Sequence, residues 1–110
     1  MKSKRTAVAV TLLALASLPS LSAHAAAPTE ILTKNACLAC HGVSNKIVGP
    51  GYNEVAAKYA GQADAAASLS KHIKEGGVGL WGQVPMPAQP NLTDEDLKTV
   101  VDWIVAGAQP

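Results

Sequence analysis

Phenylalanine is absent from this 110-residue chain, and two tryptophans and two tyrosines are its only Phe-class aromatics. Large apolar groups from which to build a centre are scarce, and a chain of this size is marginal without a staple. Cysteine is scarce as well: Cys37 and Cys40 are the only two, three positions apart. A disulfide between them closes a tiny loop and adds little by chain entropy, so it does not supply the missing stability. Charged residues make up 15% of the chain. No apolar run reaches the length of about 20 residues that a membrane-spanning helix needs. Strand-like alternation of apolar and polar residues is missing, and so is any internal repeat.

The N-terminus has the order of an export leader. Lys2, Lys4 and Arg5 precede an alanine-rich apolar run from Ala7 to Leu18, followed by Pro19 and the small-residue stretch Ala23-His24-Ala25. That order is charged, apolar, then cleavage site, as in a secretory signal peptide. Cleavage is expected after Ala25, to within two residues. The expected organisation is thus a cleaved leader, residues 1–25, and one small domain, residues 26–110. The leader holds three of the nine basic residues and none of the eight acidic ones, so the net charge of +1 turns acidic in the mature chain. Nucleic acid, which calls for a strongly basic surface, is not an expected partner. Neither is membrane insertion of the mature chain expected.

Along the mature chain the patterns are helical. Pro28-Thr29 opens a segment expected to run to about Cys40, with Leu32, Ala36 and Ala39 at helical spacing. Residues 42–51 read as a loop closed by Gly49-Pro50-Gly51. Tyr52, Val55, Ala56 and Tyr59 form a short amphipathic stripe ended by Gly61. Asp64 to Glu75 is a third helix, with Leu69, His72 and Ile73 on one stripe and Gly76-Gly77 as its stop. Residues 76–92 carry many glycines and prolines and no period, and a structureless stretch of that length in a small domain is normally functional or disordered. The last helix has Thr93 as N-cap, then Asp94, Glu95 and Asp96 at the positive end of the dipole. Leu92 and Leu97 hold its hydrophobic-staple positions. Leu97, Val100, Val101, Ile104 and Val105 form its apolar stripe, and Gly107 ends it.

The chain is organised around Cys37-Leu38-Ala39-Cys40-His41. This spacing is the attachment signature of a c-type haem. Two sulfurs one turn apart reach the two vinyl groups of one porphyrin, and the following imidazole falls under the iron. A thiol redox pair, half a zinc site and two buried thiols are the competing readings of Cys-x-x-Cys. A thiol oxidoreductase places the pair after a strand, which this sequence lacks. A zinc site needs four ligands, and Cys37, Cys40, His41 and the distant His72 make a poor set. Met86 lies in Val84-Pro85-Met86-Pro87, where two prolines fix the neighbouring φ angles and direct one sulfur. With Met1 lost in the leader, Met86 is the sole candidate thioether ligand. His/Met ligation raises the reduction potential of haem. It also closes the open iron position that a peroxidase-like or gas-binding haem protein needs.

Taken together, these motifs resemble the short bacterial class I cytochromes c, of the cytochrome c-551 type. The resemblance rests on Cys-x-x-Cys-His at 37–41, Val48-Gly49-Pro50, Val55-Ala56-Ala57-Lys58, Ala60-Gly61-Gln62, Trp81-Gly82 and Pro85-Met86-Pro87, in order and over nearly all of the mature chain. It implies an all-α fold of about four helices wrapped around one covalent haem c. It implies a periplasmic electron carrier, not an enzyme, between respiratory complexes and a terminal reductase or oxidase such as nitrite reductase, cytochrome oxidase or peroxidase. Cys37 and Cys40 would fix the haem, and His41 and Met86 would be its axial ligands. The Pro50 carbonyl would accept the other ring N–H of His41, and Trp81 would donate to a haem propionate. Trp103 is expected to be core filling. His72 stands where relatives often carry a basic propionate partner, and Leu32 where they often carry Phe. Gln89 and Asn91 are the two residues placed to reach the Met86 sulfur. The protein is expected to act as a monomer that docks redox partners transiently at its haem edge. Ile47, Val48, Val84, Pro85 and Pro87 should frame that edge, with Lys34 and Lys46 on the rim.

Overall fold

Helix α1 begins where Pro28 supplies a pre-set φ at the first helical position, and it spans Pro28–Lys34. The computed structural model describes residues 25–110, so all of the expected signal peptide except Ala25 lies outside the described residues. Three more helices follow: α2, Tyr52–Tyr59; α3, Ala65–Glu75; and α4, Asp94–Val105. Among the described residues there is no strand, only the isolated backbone pairs His41–Lys46 and Gly77–Met86. The expected all-α class holds.

One boundary differs from the sequence reading. The first helix was expected to reach about Cys40, yet it stops six residues earlier, at Lys34. Asn35 ends it by turning its side-chain amide back onto the Ile31 carbonyl at 2.9 Å. This is the local competition that short polar side chains offer a helix. Ala36 then takes a left-handed conformation, φ 56°. A separate 3₁₀ turn, Cys37–Ala39, restarts the chain in a new direction. The cysteines are carried by this turn and not by α1.

Helix α4 is the wall on which the others lean, packing against α1, α2 and α3. Its start is as expected: the Thr93 hydroxyl accepts the Asp96 amide at 3.1 Å. Leu92 and Leu97, the staple positions, are both buried. Leu97, Val100, Val101 and Ile104 face the core. Val105, expected on the same stripe, is 51% exposed; it lies in the last turn, just before the chain leaves the helix. There the amides of Gly107 and Ala108 return to the carbonyls of Ile104 and Trp103, a Schellman closure that buries Ala108.

Ile31 and Leu32 of α1 are fully buried in the core with Val100, Val101 and Ile104. Leu32 fills its place without a phenyl ring. Helix α2 contributes Tyr52, Val55 and Tyr59. Helix α3 contributes Ala65 and Leu69. Behind α3, Gly76 takes the positive φ of 68° that glycine permits, and the chain enters the irregular stretch leading to Met86.

Candidate functional site

A cavity of about 610 Å³ opens among these elements, a volume in the range of cofactor pockets. Cys37, Cys40, His41, Pro50, His72, Trp81 and Met86, distant in sequence, all line it. Much of the remaining lining is apolar, from Ile31, Val55, Leu69, Ile73, Val100 and Ile104.

The cysteine–histidine side is built by short-range bonds. The Cys40 and His41 amides donate to the Cys37 carbonyl, at 3.2 and 3.0 Å, and the Val48 and Gly49 amides both donate to the Cys40 carbonyl. The loop thus folds back beneath the imidazole. Nδ1 of His41 lies 2.8 Å from the Pro50 carbonyl oxygen. A carbonyl only accepts, so Nδ1 carries the proton and Nε2 keeps its lone pair for a metal. Gly49 packs against the same ring: a Cβ there would lie 2.4 Å from Cε1 of His41. The sequence marks Gly49 only as part of a loop; that it cradles the imidazole needs the fold.

Tyr52 is a second residue whose place the sequence reading missed. It reads as one apolar position on a helical stripe, but its ring stands between two others. His41 is 5.3 Å away, centroid to centroid, and Trp103 is 5.2 Å away, edge-on. Burial above all pushes the Tyr52 phenol far up, so it stays a neutral group beside the imidazole. Trp103 is half-buried and packs against the core, as expected, and its indole N–H donates to the Gln109 carbonyl at 2.7 Å.

The methionine side hangs on the end of α3. Gly77 and Met86 exchange both backbone hydrogen bonds, at 3.0 and 2.8 Å. A Cβ on Gly76 would lie 2.4 Å from the Met86 carbonyl oxygen. These glycines stop a helix, as expected, and also hold the backbone of Met86. Gln89 lines the cavity and Asn91 does not.

His72 is exposed, with Nδ1 2.7 Å from the Ser68 carbonyl oxygen. Nδ1–H therefore donates along the helix, and Nε2 is the nitrogen left for a ligand. Packing between Leu69 and Ile73 does not account for it. Core filling does not account for Trp81 either: it is 39% exposed, and the Lys58 ammonium lies 4.8 Å from its ring centroid.

Ile47, Val48 and Val84, expected at the rim, are exposed, as are Pro85 and Pro87. Val78 and Leu80 extend this apolar margin and were not foreseen. Lys46 lines the cavity, whereas Lys34 does not.

The rival chemistries find little here. Burial pushes the Cys37 thiol up. That is opposite to the lowered pKa of a redox-active cysteine. Among the described residues, no three His, Cys, Asp or Glu side chains gather as metal ligands. A zinc set from Cys37, Cys40, His41 and His72 is therefore not assembled. Two thiols one turn apart, an imidazole with Nε2 available and a thioether around one apolar cavity do suit a haem.

Known proteins agree with that chemistry. The family model described as cytochrome c matches residues 25–107. The chain is 46% identical to cytochrome c-552 of Nitrosomonas europaea over 85 residues, which is 77% of this chain and 82% of the relative. It is 42% identical to cytochrome c-551 of Pseudomonas aeruginosa over 98 residues, 88% of this chain and 92% of the relative. The crystal structure of wild-type N. europaea cytochrome c552 superposes with a TM-score of 0.69, at 47% identity, over 72% of this chain and 98% of that one. The class 1 cytochrome MtoD of Sideroxydans lithotrophicus superposes at 0.63, with 31% identity, over 74% of this chain and 94% of that one. With these matches and this cavity, the chain belongs to the cytochrome c family, as a small all-α class I member that carries one covalently bound haem c and transfers single electrons.

Proposed function

We propose that the protein is a periplasmic electron carrier whose haem is bound through Cys37 and Cys40 and ligated by His41 and Met86. The observation that carries this reading is the His41–Pro50 hydrogen bond, which fixes the ring nitrogen facing the same cavity as both cysteines and Met86. Bound in place, the haem supplies a one-electron centre whose potential a thioether ligand raises. The protein's own groups do the rest. Pro50 and Gly49 orient the imidazole, and the proline-flanked backbone of Met86 sets its sulfur. The Trp81 indole N–H and His72 Nε2 are the groups for the haem carboxylates. The apolar lining keeps water from the iron and lowers the local dielectric.

Residues 1–25 act as the cleaved leader of the mature domain, residues 26–110. In this reading the protein is a carrier and not itself an enzyme, working as a monomer between respiratory complexes and a terminal reductase or oxidase. Nitrite reductase, cytochrome oxidase and peroxidase are the candidate acceptors. Partners dock transiently over Ile47, Val48, Val84, Pro85 and Pro87, with Lys46 on the rim. Such redox encounters bury little area.

Acid-acetone extraction of the purified protein tests the attachment. The pigment should stay with the chain in the wild type, because thioethers do not exchange, and should be lost when Cys37→Ala is combined with Cys40→Ala. Complete extraction from the wild type overturns it. Stopped-flow oxidation of the reduced protein by each candidate acceptor then tests the role, and no acceptor reacting faster than with a soluble small oxidant would sink it.

A further inference from the structure

Residues 77–92 carry Met86 into the wall of the cavity, and the segment is held on either side of Met86 at, or just past, the last turn of α3. The outgoing arm is tied by the Gly77–Met86 pair. On the return arm, the Gln89 amide donates to the carbonyls of Ile73 and Lys74. Three residues later the Lys74 ammonium donates to the Leu92 carbonyl. The same nitrogen lies 3.6 Å from Asp94, at the start of α4. Lys74 is half-buried while Asp94 is almost fully exposed, so solvent screens the ion pair and the bond to the carbonyl dominates. No other side chain of α3 is bonded to this arm among the described residues.

We propose that Lys74 is a positioning residue for the sixth iron ligand: its ammonium closes the Met86 segment onto α3 and keeps the sulfur from leaving the iron. The inference rests on the reading of Met86 as that ligand. Opening the sulfur requires the segment to swing away. Its tip has little to resist that motion, since residues 77–85 are all exposed. Resistance therefore sits at the base, where Lys74 supplies the one charge-assisted bond. Without it the Leu92 carbonyl loses its partner, and the return arm is held by the Gln89 amide and the buried Leu92 side chain.

The test uses the ferric holoprotein and imidazole as the entering ligand, whose binding reports how often the sulfur is away. Lys74→Met should raise the apparent imidazole affinity about tenfold, the change made by about 1.4 kcal/mol, which is at the low end for a hydrogen bond to a charged group. Lys74→Arg, which can still donate to Leu92, should stay within about threefold of wild type on the same scale. Lys98→Met, which removes an exposed ion pair elsewhere on α4, should change nothing. Denaturant unfolding of every variant separates local release from global instability. Wild-type affinity in Lys74→Met, an affinity that rises only in proportion to global unfolding, or Lys74→Arg behaving as Lys74→Met would each overturn the proposal. Failure of the ligand reading looks different: wild type would then bind imidazole as readily as Met86→Ala.

Discussion

The two sides of the cavity are built in opposite ways. On the cysteine–histidine side the hydrogen bonds are local. The amides of His41, Val48 and Gly49 turn back onto Cys37 and Cys40, and those of Tyr52 and Asn53 donate to Gly42 and Val43 at 2.9 and 3.0 Å. The imidazole itself is bonded nine positions along the chain. On the methionine side the segment pairs Gly77 with Met86 within itself, and its return arm is bonded back to α3 through the Gln89 amide and the Lys74 ammonium. The lesson concerns failure. A local unit of hydrogen bonds keeps its shape while the rest of the molecule loosens, whereas a segment whose return arm is bonded back to a helix feels every disturbance of that helix. Ligand loss should begin at Met86 and not at His41.

Two glycine substitutions should pull the sides apart. The largest effect is expected for Gly76→Ala, which combines a positive φ with a Cβ 2.4 Å from the Met86 carbonyl oxygen. The cost is about 2–4 kcal/mol. Haem should remain covalently bound, while the weak near-infrared sulfur-to-iron band of the oxidised protein fades. If that band is intact and stability unchanged, the methionine side is not held as described. Gly49→Ala comes next, at about 1–3 kcal/mol, because its Cβ would press on a ring already tied to Pro50. Its signature is the converse: a lower yield of haem-loaded protein during maturation. Equal damage to both signatures by either glycine would show that the two sides act as one unit.

A smaller effect belongs to the rim. Lys46 lines the cavity beside the exposed Ile47 and Val48. Glu54 instead caps α2, accepting the Gly51 amide at 2.7 Å. Rim charges set association rates and their salt dependence more than affinity. Lys46→Glu should change the low-salt rate of electron transfer to the partner about three- to tenfold, shrinking as salt is added, with the potential unmoved. Should Glu54→Lys disturb that rate more than Lys46→Glu does, the docking face lies elsewhere.

Much of this was legible in the residues, and the pattern of misses is informative. Helices α2, α3 and α4 were readable because their signals are local: apolar spacing, the Thr93 cap, the acidic first turn, the terminating glycines. That Cys37, Cys40, His41 and Met86 come to line one cavity was readable because the chemistry proposed for them constrains residue type and spacing. The early end of α1 was not. Asn35 is a modest breaker, and nothing in an alanine announces the left-handed conformation of Ala36. The roles of Gly49, Gly76 and Lys74 were hidden for another reason: each depends on what comes near it from elsewhere. His41 stands eight positions before Gly49, and Leu92 eighteen after Lys74. Tyr52 was assigned to the right helical face, but its place between His41 and Trp103 is set by how α2 meets α4.

The smallest expected effect probes a side-chain contact between α2 and the tip of the methionine segment. The Lys58 ammonium lies 4.8 Å from the Trp81 ring centroid. Both groups are exposed, so the attraction is worth about 0.5–1 kcal/mol. Lys58→Met should therefore lower stability by about that amount and leave the sulfur-to-iron band unchanged, since neither arm at the base of the segment involves Lys58. Trp81→Leu should do more: beyond the lost contact it removes the indole N–H assigned to a haem carboxylate, which should move the reduction potential. The pair can be separated by a double-mutant cycle. Once Trp81 is leucine, Lys58→Met should cost nothing further. A full additional loss in that background would mean that Lys58 acts on something other than the indole ring.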